Sequence, residues 1–123
     1  MIKCCKVLVA WFGPRRRYNF SEDDAIDLIK YVVENEKKVD LGHEIQLDLV
    51  IVNNSSTYKM HQKGNDYLQS INGTKTKTGK IVVIQGDNVG MSFGGYSTAY
   101  YKLRENYDYW FFTEDDLIYH LIR

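Results

Sequence analysis

Apolar segments that alternate with a helical pattern are the feature that most constrains this fold. The first segment, residues 6–11, is an almost continuous apolar run, and a second strand-like segment covers residues 45–52. Runs of this kind are typical of strands that are buried on both faces, as strands of parallel sheets usually are. A strand, a helix and a second strand in this order predict a parallel α/β sheet.

The connecting helix is predicted to begin after Ser21. Serine is a favourable N-cap, and the three acidic residues at 22–24 suit the positive end of the helix dipole. Apolar residues recur at helical spacing over residues 25–33, and Lys37 and Lys38 suit the C-terminal end.

The rest of the chain predicts one more helix and two more strands. We expect strands over residues 80–85 and 109–112, and a second long helix over residues 92–105. Residues 57–78 are polar, and we expect them to form a loop with one or two helical turns. The prediction is a single three-layer α/β domain with a mostly parallel, four-stranded sheet.

Composition excludes several classes of protein. The 123 residues are 44% hydrophobic and 26% charged, as in ordinary folded domains. Sixteen basic residues balance sixteen acidic ones, so we expect no nucleic-acid partner. The apolar runs are too short to span a bilayer, and the N-terminus lacks a signal-peptide pattern. These features predict a cytoplasmic protein, with peripheral attachment to the inner membrane face as a further option.

An acidic triplet follows the aromatic fourth strand and consists of Glu114, Asp115 and Asp116. Ligands of open parallel sheets bind beyond the carboxyl ends of the strands. Adjacent carboxylates repel one another unless a cation lies among them, and such oxygen ligands suit Mg²⁺ or Mn²⁺. A metal there could hold a diphosphate. Taken alone, however, a triplet of this kind is more often a solvated turn.

Two further polar segments follow predicted strands. Asn53-Asn54-Ser55-Ser56 can hydrogen-bond a base or a ribose, but taken alone it is better explained as a strand-ending turn. Residues 88–95 are mostly small and lead into a helix N-terminus, which can accept an anion.

Other candidates for catalysis are weaker. The arginines at 15–17 could meet phosphate, although such loops are usually solvated. The three histidines show no metal-ligand spacing, and we expect each to lie on the surface. No serine or cysteine occupies a nucleophile-elbow context.

In their order along the chain, these segments resemble the nucleotide-binding half of a GT-A glycosyltransferase, most closely the family 2 type. That family has a V-D-N-x-S pattern after the second strand, an N-x-G stretch that opens a helix, and a D-x-D motif after the last strand. The matching segments are Ile51-Val52-Asn53-Asn54-Ser55-Ser56, Asn88-Val89-Gly90 with Gly94-Gly95-Tyr96, and Phe111-Phe112-Thr113-Glu114-Asp115-Asp116.

The sequence departs from this family in three places. Asn53 replaces the aspartate that contacts the base, which removes a charge but keeps an acceptor. Glu114 replaces the first aspartate of D-x-D. Family members continue beyond this point with an acceptor-binding half, which supplies the catalytic base in inverting enzymes. We therefore expect residues 1–123 to form one truncated, nucleotide-sugar-binding domain, with its catalytic residues unassigned.

The resemblance implies a nucleoside-diphosphate sugar as donor, a divalent metal (Mn²⁺ or Mg²⁺), and an acceptor that is a glycan, a lipid-linked molecule or a protein. Asp116 would be the main metal ligand, and Glu114 would contact the metal, the diphosphate or the ribose. The residues implied in nucleotide-sugar binding are Phe12, Asn53, Asn54, Asn88, Gly90, Glu114 and Asp115. The alternative is a non-catalytic nucleotide-binding remnant, or a partner subunit of a split glycosyltransferase.

The resemblance also implies the strand order 3-2-1-4, which places the fourth strand at an edge. This strand is aromatic and nearly uncharged. Because exposed edges of this kind pair readily with other strands, we expect self-association or a partner chain there.

Overall fold

Four strands and three α-helices alternate along the chain in the computed structural model, which describes residues 1–14 and 21–114. The elements are β1 (Ile2–Ala10), α1 (Glu22–Glu36), β2 (Ile45–Asn53), α2 (Gln62–Ile71), β3 (Ile81–Gln85), α3 (Met91–Leu103) and β4 (Tyr109–Thr113). A short 3-10 helix, Lys59–His61, precedes α2. None of the helices in these two ranges is long and apolar enough to cross a membrane.

The four strands form one parallel sheet in the order β3-β2-β1-β4. At the centre of the sheet, Leu8 of β1 pairs with Ile51 of β2 on one side and with Thr113 of β4 on the other. The predicted α/β class and strand order are therefore confirmed.

Helices cover both faces of this sheet and complete a three-layer, Rossmann-like half domain. One face packs against α1 and α2, and its buried core contains Leu8, Ala10, Phe12, Ala25, Ile26, Ile29, Val32, Val33, Leu49, Ile51, Leu68 and Ile81. The other face packs against α3, and its buried core contains Cys5, Val7, Val9, Val50, Val52 and Ala99. Gly95 lets α3 approach β1 closely, since a Cβ there would lie only 2.5 Å from the Val9 side chain.

The predicted start of α1 is confirmed by a capping box. Ser21 Oγ accepts a hydrogen bond from the backbone N–H of Asp24, and the Asp24 carboxylate accepts one from the N–H of Ser21, both at 3.1 Å. Two backbone donors that the helix leaves unpaired are thus satisfied by side chains.

Helix α2 is longer than the one or two turns expected for this polar stretch, because it spans ten residues. Leu68 is fully buried in the core, and Gly64 lies against the Phe12 ring, where a Cβ would collide with it. The packing of Leu68 and Gly64 against the core therefore stabilises a helix that its own composition favours only weakly.

One carboxylate is buried within the sheet. Asp48 of β2 accepts hydrogen bonds from the Tyr107 hydroxyl at 2.7 Å, the Lys80 backbone N–H at 3.0 Å and the Gln46 side chain at 3.2 Å. Burial, together with this hydrogen bond to Asp48, raises the pKa of Tyr107. Asp48 thus joins β2 to the residue before β3 and to the segment before β4, and its buried oxygens are hydrogen-bonded.

The buried thiol of Cys5 predicts a loss of stability at alkaline pH. Burial, with a smaller contribution from nearby Asp48, raises the pKa of Cys5 from 9.0 to about 12. Between these values the unfolded chain releases a proton that the folded chain keeps, so this contribution to the unfolding free energy falls by ~1.4 kcal/mol per pH unit. We expect Cys5→Ala to flatten the decline between pH 9 and 12 in urea denaturation.

The matched control for this measurement is Val7→Ala, which removes buried volume from the same strand and core. Val7→Ala should lower the unfolding free energy by a similar amount at every pH, and the change of that free energy with pH should stay as in the wild type. Equal slopes for the wild type and Cys5→Ala would contradict the role of the thiol.

Candidate functional site

The topology of the sheet defines where a ligand is expected. The chain adds β2 and then β3 on one side of β1, and returns to add β4 on the other side. The strand order therefore reverses between β1 and β4, and ligands of such sheets bind beyond the carboxyl ends of the strands at this position. The flanking residues are 11–13 after β1 and Thr113 and Glu114 at the end of β4.

Asn53, the last residue of β2, has both ends of its side-chain amide engaged within the protein. Its Nδ2 donates to Asn65 Oδ1 at 2.8 Å, and its Oδ1 accepts from the backbone N–H of Ser55 at 2.9 Å. These bonds shape the turn after β2 and connect it to α2. Contact of Asn53 with a base stays a prediction, and the side chain is only 6% exposed.

Asn54 connects the end of β2 to the loop between β3 and α3. Its side chain is buried, and Nδ2 donates to Asn88 Oδ1 at 3.2 Å and to the backbone oxygen of Met91 at 3.1 Å. The structure thus brings together Asn54 and Asn88, two of the predicted site residues.

The loop that Asn54 holds has an unusual backbone. Asn88, Gly90 and Met91 have φ angles of +64°, +79° and +54°. Left-handed backbone is routine for glycine but uncommon for a residue such as methionine, and it persists where surrounding contacts enforce it. Gly90 is exposed and Asn88 is half-buried, so this constrained loop is accessible at the carboxyl edge of the sheet.

A serine and a histidine form a second buried contact at this edge. Ser55 Oγ accepts a hydrogen bond from the backbone N–H of Phe12 at 3.0 Å and lies 3.0 Å from Nδ1 of His61. His61 is only 5% exposed, so the expectation of a surface histidine is wrong at this position. Since Ser55 is fully buried, this pair joins the ends of β1 and β2 and does not present an accessible nucleophile.

Sequence reasoning also missed an aromatic cluster, formed by Trp11, Tyr58 and His61. The Trp11 ring meets both of the others edge-on with centroids 5.0 Å apart, and Tyr58 stacks on His61 at 5.4 Å. Trp11 and Tyr58 are half-buried, so they leave aromatic surface at the carboxyl edge. Trp11 follows β1, whereas Tyr58 and His61 lie in the segment between β2 and α2, so only the fold brings the three rings together.

Phe12 was expected to contact the nucleotide sugar, but its side chain is buried. Its ring is buried in the core that β1 shares with α1 and α2. The close approach of Gly64 gives the ring this position. With the ring in the core and the N–H bound to Ser55 Oγ, the ring offers no surface to a ligand in this geometry.

Of the predicted metal ligands, only Glu114 belongs to the described residues, where it is exposed just beyond β4. Asp115 and Asp116 lie outside the described residues, as do the arginines at 15–17 and His120. Within residues 1–14 and 21–114, no three His, Cys, Asp or Glu side chains are grouped so that they could hold a metal ion.

Comparisons with known proteins assign no family to this chain. No protein-family model matches the sequence, and searches of curated proteins and of solved structures give no match. The likeness to glycosyltransferases therefore depends on the motifs quoted above and on the fold class.

We expect Asn54→Ala to destabilise the domain by about 1–3 kcal/mol, because it removes the donor from two acceptors and leaves a buried cavity. Asn54→Asp should cost more, since a carboxylate cannot donate to either oxygen and carries a charge into a buried position. Chemical denaturation would measure both.

Asn35→Ala serves as the control for Asn54, since Asn35 is exposed and its side chain donates to the backbone oxygen of Tyr31 in its own helix. It should change stability by less than about 0.5 kcal/mol. A similar loss in Asn35→Ala and Asn54→Ala would show that the connection between β2 and the β3–α3 loop contributes nothing specific.

Proposed function

We propose that this domain binds a nucleoside-diphosphate sugar, as the donor-binding domain of a glycosyltransferase that uses Mn²⁺ or Mg²⁺. The observation that supports this most strongly is the reversal of strand order between β1 and β4. Ligands of such sheets bind at this position, and Glu114 directly follows the last residue of β4 there. Glu114 and the loops after β1, β2 and β3 all follow carboxyl ends of parallel strands, and therefore share one edge.

The nucleoside is assigned to the loops after β1, β2 and β3. The half-buried rings of Trp11 and Tyr58 offer apolar surface suited to a planar base. The accessible loop around Asn88 and Gly90 supplies polar groups for the ribose. Asn54 would act indirectly, by holding that loop in its left-handed conformation.

The diphosphate and the metal are assigned to the acidic triplet. Asp116 would be the main metal ligand, with Glu114 directed to the metal, the diphosphate or the ribose and Asp115 beside them. A bound divalent ion would stabilise the negative charge that develops on the departing nucleoside diphosphate. The acceptor would be a glycan, a lipid-linked molecule or a protein.

The setting we propose is the cytoplasm, with the inner membrane face as a further site for a lipid-linked acceptor. The cysteines support a reducing compartment, because Cys4 and Cys5 are both buried and free.

A non-catalytic nucleotide-binding domain is the second candidate, and one observation favours it. His61, the histidine that residues 1–14 and 21–114 place at this edge, is buried and hydrogen-bonded to Ser55, so it is poorly placed to act as a general base. Incubating the 123-residue protein with Mn²⁺ and a panel of sugar nucleotides separates the two candidates. Release of nucleoside diphosphate above a protein-free control would exclude the non-catalytic alternative.

Binding itself is tested by melting in the presence of Mn²⁺ and a panel of nucleoside diphosphates. A ligand at 100 times its Kd adds ~2.7 kcal/mol to the unfolding free energy, which raises Tm by several degrees in a domain of this size. We expect a shift with at least one nucleotide, and a smaller one when EDTA removes the metal. No shift with any nucleotide would refute the proposal.

The acidic triplet contains its own matched control. Asp116→Asn should weaken metal-dependent nucleotide binding more than Asp115→Asn, because the first change removes an anionic oxygen from the metal and the second alters the middle position of the D-x-D arrangement. Isothermal titration with Mn²⁺ and the nucleotide compares the variants. Equal losses would contradict the assigned roles.

A further inference from the structure

Strand β4 forms one of the two edges of the sheet, and its neighbour among the described strands is β1. Just before β4, the backbone N–H of Asp108 donates to the oxygen of Lys3 at 2.7 Å. Backbone groups alternate sides from one residue of a strand to the next. Tyr109, Phe111 and Thr113 therefore direct their N–H and C=O groups away from β1, where those of Tyr109 and Phe111 can pair with another strand. The C=O of Thr113 accepts a hydrogen bond from the Tyr96 hydroxyl at 2.9 Å.

The side chains of β4 are aromatic and accessible on both faces of the sheet. Tyr109 and Phe111, on the α1 side, are 59% and 48% exposed, and neither joins the core on that face. Phe112, on the α3 side, is 49% exposed. Edge strands are usually protected by lysine, proline or a bulge, but residues 109–113 have no charged residue and no proline. Two acids flank the strand: the Asp108 carboxylate accepts a hydrogen bond from the backbone N–H of Lys3 at 2.9 Å, and Glu114 is exposed.

Aromatic residues of α3 extend this surface next to the strand. Tyr96 contacts the Phe112 ring with centroids 4.9 Å apart, and Tyr100 contacts Trp110 at 5.2 Å. Phe93, which meets Tyr96 edge-on, is 83% exposed. We call β4 and these α3 residues the aromatic edge.

We propose that the aromatic edge binds a second copy of this chain, by antiparallel pairing of β4 with β4 about a twofold axis at Phe111. Phe111 would then exchange both backbone hydrogen bonds with Phe111 of the other copy, because its backbone groups face outward. Tyr109 would lie opposite Thr113 of the second copy, whose C=O would accept the new bond in addition to the one from the Tyr96 hydroxyl. The product is a continuous eight-stranded sheet with the two α3 helices on the same face.

When two copies of β4 run antiparallel, the residues that come to lie opposite one another are compatible. The twofold axis places Phe111 opposite Phe111 on one face, and Trp110 opposite Phe112 on the other. Cross-strand pairs of aromatic residues stabilise antiparallel strands. Residues 109–113 carry no charge, but the same axis places Asp108 opposite Glu114 of the second copy, so like charges flank the paired segment and reduce its stability. The pairing therefore depends on the aromatic and backbone contacts.

The area available also fits a dimer. An aromatic side chain buries ~150–250 Å² when fully covered, so about six half-exposed rings provide on the order of 600 Å². The outward backbone of β4 adds to this, and the sum approaches the roughly 800 Å² that each partner contributes to a standard interface. A second copy supplies matching area because each copy presents the same edge.

The proposal predicts a dimer of the 123-residue protein in sedimentation equilibrium, without nucleotide or metal. Phe111→Lys and Phe111→Glu should each raise the dimer dissociation constant by about a hundredfold, because each places like charges opposite one another at the axis. An equimolar mixture of the two variants should dimerise again, since lysine then lies opposite glutamate. The control is Tyr31→Lys, an exposed aromatic on α1, which should leave the dimer intact.

Covalent capture provides a readout that does not require charged residues in the strand. Paired residues that exchange both hydrogen bonds have Cα atoms ~5.5 Å apart, a separation that a disulfide can span. Oxidised Phe111→Cys should therefore form a disulfide-linked dimer, whereas Tyr31→Cys should not. Cys4 and Cys5 are buried and should not contribute. A wild-type monomer throughout the micromolar range, no dimer in the Lys/Glu mixture, or equal crosslinking at positions 31 and 111 would overturn the proposal.

Discussion

The burial of β1 on both faces and along both edges is the constraint on which the rest of the structure depends. Its side chains contribute to both cores, and its backbone pairs with β2 on one side and β4 on the other. An apolar strand in this position requires helices above and below it, and α1 and α3 meet this requirement. Because β2 and β4 flank β1, the reversal of strand order falls at its carboxyl end, so the strand that organises the core also fixes where a ligand is expected.

Polar side chains at the ends of the strands hold the loops at the carboxyl edge of the sheet in place. Asn54 bonds to the loop after β3, and Ser55 bonds to the backbone that follows β1. Both side chains are buried and hydrogen-bonded, as polar groups in a folded interior must be. These bonds cross between loops that are distant in sequence, and they hold those loops at fixed positions around the edge. Preorganisation of this kind reduces the entropy lost when a ligand binds.

Much of the fold could be predicted from the sequence because its determinants are local. The apolar runs identified the strands, and Ser21 as an N-cap, followed by three acidic residues, predicted the start of α1. The strand order followed from the glycosyltransferase resemblance. The length of α2, the burial of His61 and the position of the Phe12 ring could not be predicted, because each depends on contacts between segments far apart in the chain. For the same reason, Asn53 and Asn54 were recognised as polar residues at a strand end, but their hydrogen-bond partners were not.

The central claim is that a metal-bound nucleoside diphosphate occupies the carboxyl edge of the sheet between β1 and β4. Paramagnetic broadening by Mn²⁺ in amide NMR spectra tests this directly, with the nucleoside diphosphate that raises Tm most. The account predicts that the amide signals of Gly13, Thr113 and Glu114 weaken first, while those of Gln46 and Lys80, toward the opposite ends of the strands, persist. Broadening centred on the opposite edge, or equal at both edges, would contradict it.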